Sequence, residues 1–246
     1  MSLPDTQKLY DVIDATWPSA AQIACGPFMI GDGQGGGKRV SSATVTGPFQ
    51  ESDIDTIENR MRQIDQSPLF QIREGDDVLD AALEARGYEI IDPVTMYAIE
   101  AEELTAERPP RTAAIETTGP LHIMREIWAS GGLGPARVEV MNRACRPKAG
   151  FVSRWNDKPA GTSFIAMHDG ISMVHAVEIL PFQRRQGVAR WLMIRAAFWT
   201  LENGGDTLSV ICTSGNAAAN SLYSSLGMFV VGKYHYRILL DQEDTQ

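Results

Sequence analysis

Three cysteines are all that the 246 residues contain, Cys25, Cys145 and Cys212, and none stands at a metal-ligand spacing from another. They do not make an even disulfide set, so no cross-linked scaffold and no bound metal are expected, and a reducing cytoplasm is the compartment indicated. Long apolar runs are missing too. Nothing approaches the roughly twenty residues that span a bilayer, so no membrane partner is expected. Met1 to Tyr10 lacks a basic start followed by an apolar stretch, so no export is expected either. Basic residues are in deficit: 22 Lys and Arg stand against 31 Asp and Glu, a formal net charge of −9. Such a surface does not neutralise phosphates, which argues against general nucleic-acid binding. It would suit a cationic amine, although solubility alone explains the acidity of many proteins. The length admits one large domain or two smaller ones, with core enough to need no staples.

What the chain does have is a short turn between an apolar strand and a helix. The strand is Ser172 to Leu180, and the helix runs from about Gln186 to Asn203 with Val188, Trp191, Ile194, Phe198 and Leu201 at helical spacing. Between them lies Arg184-Arg185-Gln186-Gly187-Val188-Ala189. The first turn of a helix leaves N–H groups without partners and carries partial positive charge, which favours an anion of phosphate size. Arg184 and Arg185 add to that preference. Gly187 lets the backbone approach a ligand, and Ala189 keeps the helix close to the strand before it.

This run resembles the pyrophosphate loop of the GNAT superfamily of N-acetyltransferases, whose pattern is Gln or Arg, any two residues, Gly, any residue, then Gly or Ala. Downstream, after a β-rich run at Thr207 to Thr213, comes a stretch from Asn216 through Asn220 and Tyr223 to Leu226-Gly227-Met228. It is similar to the superfamily's second signature, an Asn-led helix with a Tyr seven residues on and a Leu-Gly-aromatic exit. Met228 departs from the usual Phe, a conservative change for a packing position. The resemblance covers roughly residues 111 to 240. It implies an α/β (α+β) chain with the GNAT acyl-CoA N-acyltransferase fold, a mixed, mostly antiparallel sheet flanked by helices. It also implies acetyl-CoA as cosubstrate and transfer to a primary amine, a small molecule, by direct attack in a ternary complex. A non-catalytic acyl-CoA sensor on the same fold is the alternative.

Sliding the chain by 140 positions places Gly47 on Gly187, Gly75 on Gly215 and Gly87 on Gly227 without a gap. Helix-like Glu51 to Asp65, with Ile54, Ile57, Met61 and Ile64, falls on the helix after the loop. Pro68 to Arg73 falls on the strand holding Val210 and Cys212, Asp76 on Asn216, and Leu83 on Tyr223. A tandem of two related halves is expected: a degenerate domain at 1–105 and a catalytic one at 111–246, with a linker at Ala101 to Arg111 whose composition resists regular structure. Thr46-Gly47-Pro48 stands where the loop should be, with no cation and a proline that removes a donor. The first half should therefore hold no cofactor and act as a structural partner that closes over the acceptor site. A tandem is compatible with a monomer.

The run Gly31-Asp32-Gly33-Gln34-Gly35-Gly36 matches GxGxxG literally. A dinucleotide loop needs a helix opening at the third glycine, but Arg39 to Val45 is β-branched and reads as a strand. Gly31 to Gly37 is expected to be a flexible hairpin loop after Phe28-Met29-Ile30.

Acetyl transfer from a thioester needs a deprotonated amine, a stabilised oxyanion and a proton for the thiolate. Alternation along the strand puts Met173, His175, Val177 and Ile179 on one face and Val174, Ala176, Glu178 and Leu180 on the other. His175 and Glu178 are the base candidates, beside a water chain; a hydrogen-bonded core histidine and a carboxylate paired with an arginine are the bland readings. The resemblance implies that Tyr223 donates the proton to the leaving sulfur, against the plainer reading of an interior aromatic. It implies that the backbone near Val177 and Ile179 binds the acetyl and pantetheine amides. Asn216 and Asn220 contact the pantetheine arm or cap their helix. The resemblance implies that Gly131-Gly132-Leu133-Gly134-Pro135 lies in the region of the acceptor-binding elements, with Trp128 and Trp155 as candidate pocket walls. The residues do not identify the amine.

Overall fold

A computed structural model describes residues 3–239. The chain begins α1 (Thr6–Thr16), β1 (Ala21–Cys25), β2 (Phe28–Asp32), α2 (Lys38–Ser41), β3 (Ala43–Val45), α3 (Glu51–Arg62), β4 (Leu69–Ile72), α4 (Asp77–Ala85) and β5 (Glu89–Glu100). It continues β6 (Ile115–Thr117), α5 (His122–Ser130), α6 (Pro135–Arg143), β7 (Lys148–Trp155), β8 (Lys158–His168), β9 (Ile171–Ile179), α7 (Val188–Glu202), β10 (Thr207–Thr213), α8 (Ala217–Ser225) and β11 (Phe229–Ile238).

These elements gather into two compact units that do not follow a single cut in the chain. The larger takes residues 3–18, 96–212 and 216–231; the smaller takes 19–95, 213–215 and 232–239. Four segments thus depart from a division at 105 and 111: 3–18 and 96–105 join the larger unit, and 213–215 and 232–239 join the smaller. Helix α1 packs with the second half, and the end of β11 completes the sheet of the first.

In the larger unit the strand order is β5-β10-β9-β8-β7-β6, with β9 and β10 parallel and β6 to β9 an antiparallel meander. Phe151, Ile165, Val174, Leu208 and Val210 meet Leu192, Met193, Ala196, Ala197 and Trp199 of α7 in one buried cluster. Burying each large side chain contributes about 1.5–3 kcal/mol. The stripe expected on α7 is corrected here, because Trp191 and Phe198 are only half-buried and Leu201 is exposed. The helix is apolar on nearly every side, so periodicity alone does not choose the buried face. The expected linker begins with a 3-10 turn at Ala101–Leu104, whose Ala101 and Leu104 are buried in the same cluster.

The smaller unit orders its strands β1-β2-β3-β4-β11, with β3 parallel to β4 and β11 antiparallel to it. Phe28, Ile30, Ile54, Ile57, Met61, Phe70, Leu79 and Leu83 form its interior. Ile64 lies past the end of α3 and is half-buried.

The glycine run is a hairpin connection, since Phe28↔Val45 and Ile30↔Ala43 pair antiparallel. It is also tightly held. The Gln66 amide donates to Gly31 O at 2.9 Å and accepts from Gly33 N at 2.8 Å. A Cβ on Gly31 or Gly33 would collide with Val40 O or Ser41 Oγ. The glycines permit that close approach. Residues 38–41 form one helical turn where a strand was expected, and only Ala43–Val45 is extended.

The 140-residue offset is carried by individual hydrogen bonds. Helices α4 and α8 occupy equivalent positions and end alike, Tyr88 N on Leu83 O matching Met228 N on Tyr223 O, both at 3.1 Å. Gly87 at φ +83° and Gly227 at φ +80° make the two exits, as a left-handed C-cap requires. Upstream the match breaks. Phe70 pairs with Ala43, four residues before Gly47, whereas Val210 pairs with Val174, thirteen before Gly187. The first half lacks the strand end that carries a loop out to a ligand.

Candidate active site

β8 and β9 pair from His168↔Ile171 to Gly161↔Ile179, but between Thr162↔Glu178 and Phe164↔His175 strand β9 spends one residue more than β8. This is a β-bulge. Ala176 takes φ 52° there, and its carbonyl accepts from Trp128 Nε1 at 2.8 Å. Trp128 is fully buried on α5, so it braces the bulge and does not wall an open pocket.

The bulge corrects the faces expected from strict alternation. Val177 and Ile179 join Val174 against the α7 cluster. His175 and Glu178 share the opposite face through their β8 partners Phe164 and Thr162. Both base candidates therefore lie on one side of the sheet.

Their surroundings differ. His175 is 4% exposed, and its ring lies 4.9 Å from Trp17 and 6.3 Å from Phe164. Its Nε2 is 2.9 Å from Thr16 Oγ1. That hydroxyl already donates to Val12 O at 2.6 Å, so it accepts from His175. These are the surroundings of a packed core histidine. Glu178 is partly open, paired with Arg184 Nη2 at 3.3 Å. Gly131 ends α5 against this carboxylate: a Cβ there would stand 2.5 Å from the carboxyl carbon of Glu178.

The loop between β9 and α7 opens with a short 3-10 turn, Pro181–Gln183, that the sequence did not signal. Gln183 is buried there and donates to Trp155 O at 3.1 Å, tying the turn to β7. Arg185 at φ 63° and Gly187 at φ 80° then reverse the chain into α7. Val188 is buried and anchors the helix start, while Arg184 and Arg185 stay exposed. Trp191 N bonds Gly187 O at 3.1 Å, so the N–H groups of Val188, Ala189 and Arg190 precede the helical ladder and can serve an anion. Gln186 shapes the loop from inside, donating to Phe182 O at 3.1 Å and accepting from Asn156 at 3.2 Å.

Parallel pairing of β9 with β10 runs from Thr207↔Ile171 to Val210↔Val174 and then stops, although the strands continue to Ile179 and Thr213. The edge of β9 at Val177 and Ile179 that would face β10 is thus free of strand partners. Arg184 Nε already donates to Ile179 O at 3.0 Å.

Beside this gap α8 presents Tyr223. It is buried, with its ring centroid 5.5 Å from that of Tyr97. Burial, together with Cys212 and Tyr97 nearby, holds the phenol well above its ordinary range, so it keeps its proton throughout the neutral range. Burial also pushes the Cys212 thiol up to about 11. Asn216 caps α8 by accepting from Ala219 N at 3.1 Å. Asn220 is engaged within the protein: Oδ1 accepts from Tyr97 Oη at 2.7 Å and Cys212 Sγ at 3.4 Å, and Nδ2 donates to Asn216 O at 2.8 Å. It anchors the helix that carries Tyr223, a use the sequence could not reveal.

Among the described residues no group of three His, Cys, Asp or Glu side chains is placed to hold a metal, and no helix is long and apolar enough to cross a membrane.

Residues 121–228 match the acetyltransferase (GNAT) family. An uncharacterized N-acetyltransferase, YobR, of Bacillus subtilis (strain 168) is 22% identical over 96% of this chain and 99% of its own length. A GCN5-related N-acetyltransferase from Kribbella flavida superposes with a TM-score of 0.74 at 17% identity, covering 99% of this chain and 98% of that one. A tandem GNAT protein from the clavulanic acid biosynthesis pathway superposes at 0.59 and 12% identity, covering 80% and 74%. The fold is that of the GNAT acyltransferases. Residues 121–228 thus form a domain of the GNAT acetyltransferase family.

Proposed function

We propose that the protein is an acetyl-CoA-dependent N-acetyltransferase that acetylates a primary amine of a small molecule by direct attack in a ternary complex. The observation that carries this reading is the opening between β9 and β10 beyond Val174 and Val210, with the α7 N-terminus at the end of β9 and Tyr223 on the helix after β10. The pyrophosphate would rest on the N–H groups at Val188 to Arg190, with Arg184 and Arg185 supplying charge. The pantetheine amides would pair with the edge of β9 at Val177 and Ile179, with Arg184 leaving Ile179 O to admit them.

The amine nitrogen attacks the thioester carbonyl, the carbon–sulfur bond breaks, and the thiolate takes its proton from Tyr223. Burial keeps the phenol protonated at neutral pH, so a proton is present to be given. The proton leaving the amine goes to Glu178 or to water; His175 is already packed and bonded to Thr16. The smaller unit is assigned no cofactor, because β3 ends at Val45 and Thr46-Gly47-Pro48 follows with neither cation nor extended strand end.

A panel of amines offered with acetyl-CoA, read by thiol release, tests the reading. Release with one or more amines is expected. Acetyl-CoA binding without release across the panel would turn the assignment toward a sensor.

A further inference from the structure

Glu178 and Arg184 join two regions that the proposed function uses separately. Arg184 belongs to the phosphate loop, yet its guanidinium is turned back, Nε on Ile179 O at 3.0 Å and Nη2 on Glu178 at 3.3 Å. Glu178 is reached by the bulge, which puts it on the face of His175, away from the α7 cluster. Gly131, the first residue of the loop between α5 and α6, has no side chain where Glu178's carboxylate lies. The carboxylate has thus been given room between the cofactor loop and the loop at the expected acceptor side, and a cation of the protein itself occupies it.

Resting on the proposed function, we infer that Arg184 is a stand-in for the acceptor's ammonium group. The cofactor's pyrophosphate draws the Arg184 guanidinium from Glu178, and the released carboxylate binds a primary ammonium. The acceptor is accordingly an amine that arrives protonated. Cofactor and amine each strengthen the other's binding, because one cation vacates what the other takes, and such coupling is reciprocal. Arg184 is 57% exposed, so its turn meets little packing. The pair it leaves is a modest one, and the effect on affinity is about two- to fivefold.

The test is the affinity for CoA by calorimetry in the full chain and in Glu178→Gln, Arg184→Gln and the double variant. Glu178→Gln should tighten CoA binding about two- to fivefold by removing the competitor of the pyrophosphate, and should have no effect once Arg184 is Gln. Equal tightening in both backgrounds would mean a general effect of charge on a polyanion and would overturn the inference, as would no tightening at all. Adding n-butylammonium chloride should raise the wild-type affinity for CoA above that in the same concentration of potassium chloride, and the rise should vanish in Glu178→Gln. No rise in the wild type counts against the ammonium site. A wild-type protein that binds no CoA would instead remove the proposed function on which the inference stands.

Discussion

Tyr223 is the residue on which chemistry and packing separate most cleanly. Tyr223→Phe deletes a hydroxyl and keeps the ring against Tyr97. Turnover is expected to fall about a hundred- to ten-thousandfold with CoA affinity unchanged, the mark of an interaction made in the transition state. A parallel loss of affinity measured by calorimetry would make it a binding residue. His175 should behave in the opposite way. With the ring buried and bonded to Thr16, His175→Ala should cost about 2–4 kcal/mol in urea unfolding. The acid limb of the pH–rate profile should stay in place; its disappearance would restore His175 as the base. Both residues were visible in the sequence as candidates. Their environments were not, because Thr16 and Trp17 come from the far end of the chain and the bulge at Ala176 has no local signature: an alanine at positive φ is forced by tertiary contacts, here the Trp128 indole.

Elements were legible where local chemistry decides them. Asn216 opening α8, Gly227 closing it and the strand at Thr207–Thr213 were all found where expected. The buried face of α7 was not, since a helix apolar all round gives no phase. The strand predicted at 39–45 failed for another reason, as Gly31 and Gly33 let a turn of helix pack where a β-branched run suggested extension.

The junction of α4 with β11 carries a charge network with a predictable response to acid. Burial favours a neutral Asp80, but Arg237 Nε at 2.7 Å and His235 Nε2 at 2.9 Å outweigh it and hold the carboxyl below its usual range. A carboxyl lowered in the folded state stabilises above its unfolded pKa, and that share is lost as pH falls through the folded value. The loss should begin near about pH 4 and deepen below it. Asp80→Ala should cost about 2–3 kcal/mol at neutral pH by leaving the buried Arg237 short of its acceptor. Its unfolding midpoint should then lose less than the wild type's between neutral and acid pH, and an identical acid response in urea titrations would refute the assignment.

At the scale of the whole chain, the 140-residue offset predicted two related halves, and the equivalence of α4 with α8 and of β5 with β11 supports that reading. What the offset could not convey is where each half draws its last strand. Arg237 reaches Asp80, and 140 residues earlier Tyr97 reaches Asn220, so in each case a strand end clasps the helix of the opposite half of the sequence. No composition or periodicity encodes such an exchange, because either partner would satisfy the same local pattern. Removing residues 1–109 would therefore strip α1 and β5 from the larger unit along with the smaller one. Thr16 and Trp17, which surround His175, would go with them. Such a truncation is expected to be insoluble, checked by its recovery beside the full chain.

The exchange also sets a timetable for synthesis. The smaller unit needs His235 to Ile238, which pair with Ile72 to Leu69. Those residues are translated long after the strand they pair with, so its sheet cannot close until they have emerged. Helix α1 must wait as well, since its neighbours on β8 and β9 are more than a hundred residues behind it. Nascent chains generally fold domain by domain as they emerge. This one is built so that α1 waits for β8 and β9 and the smaller unit waits for the end of β11, and chains stalled before residue 232 should remain open to protease along most of their first hundred residues.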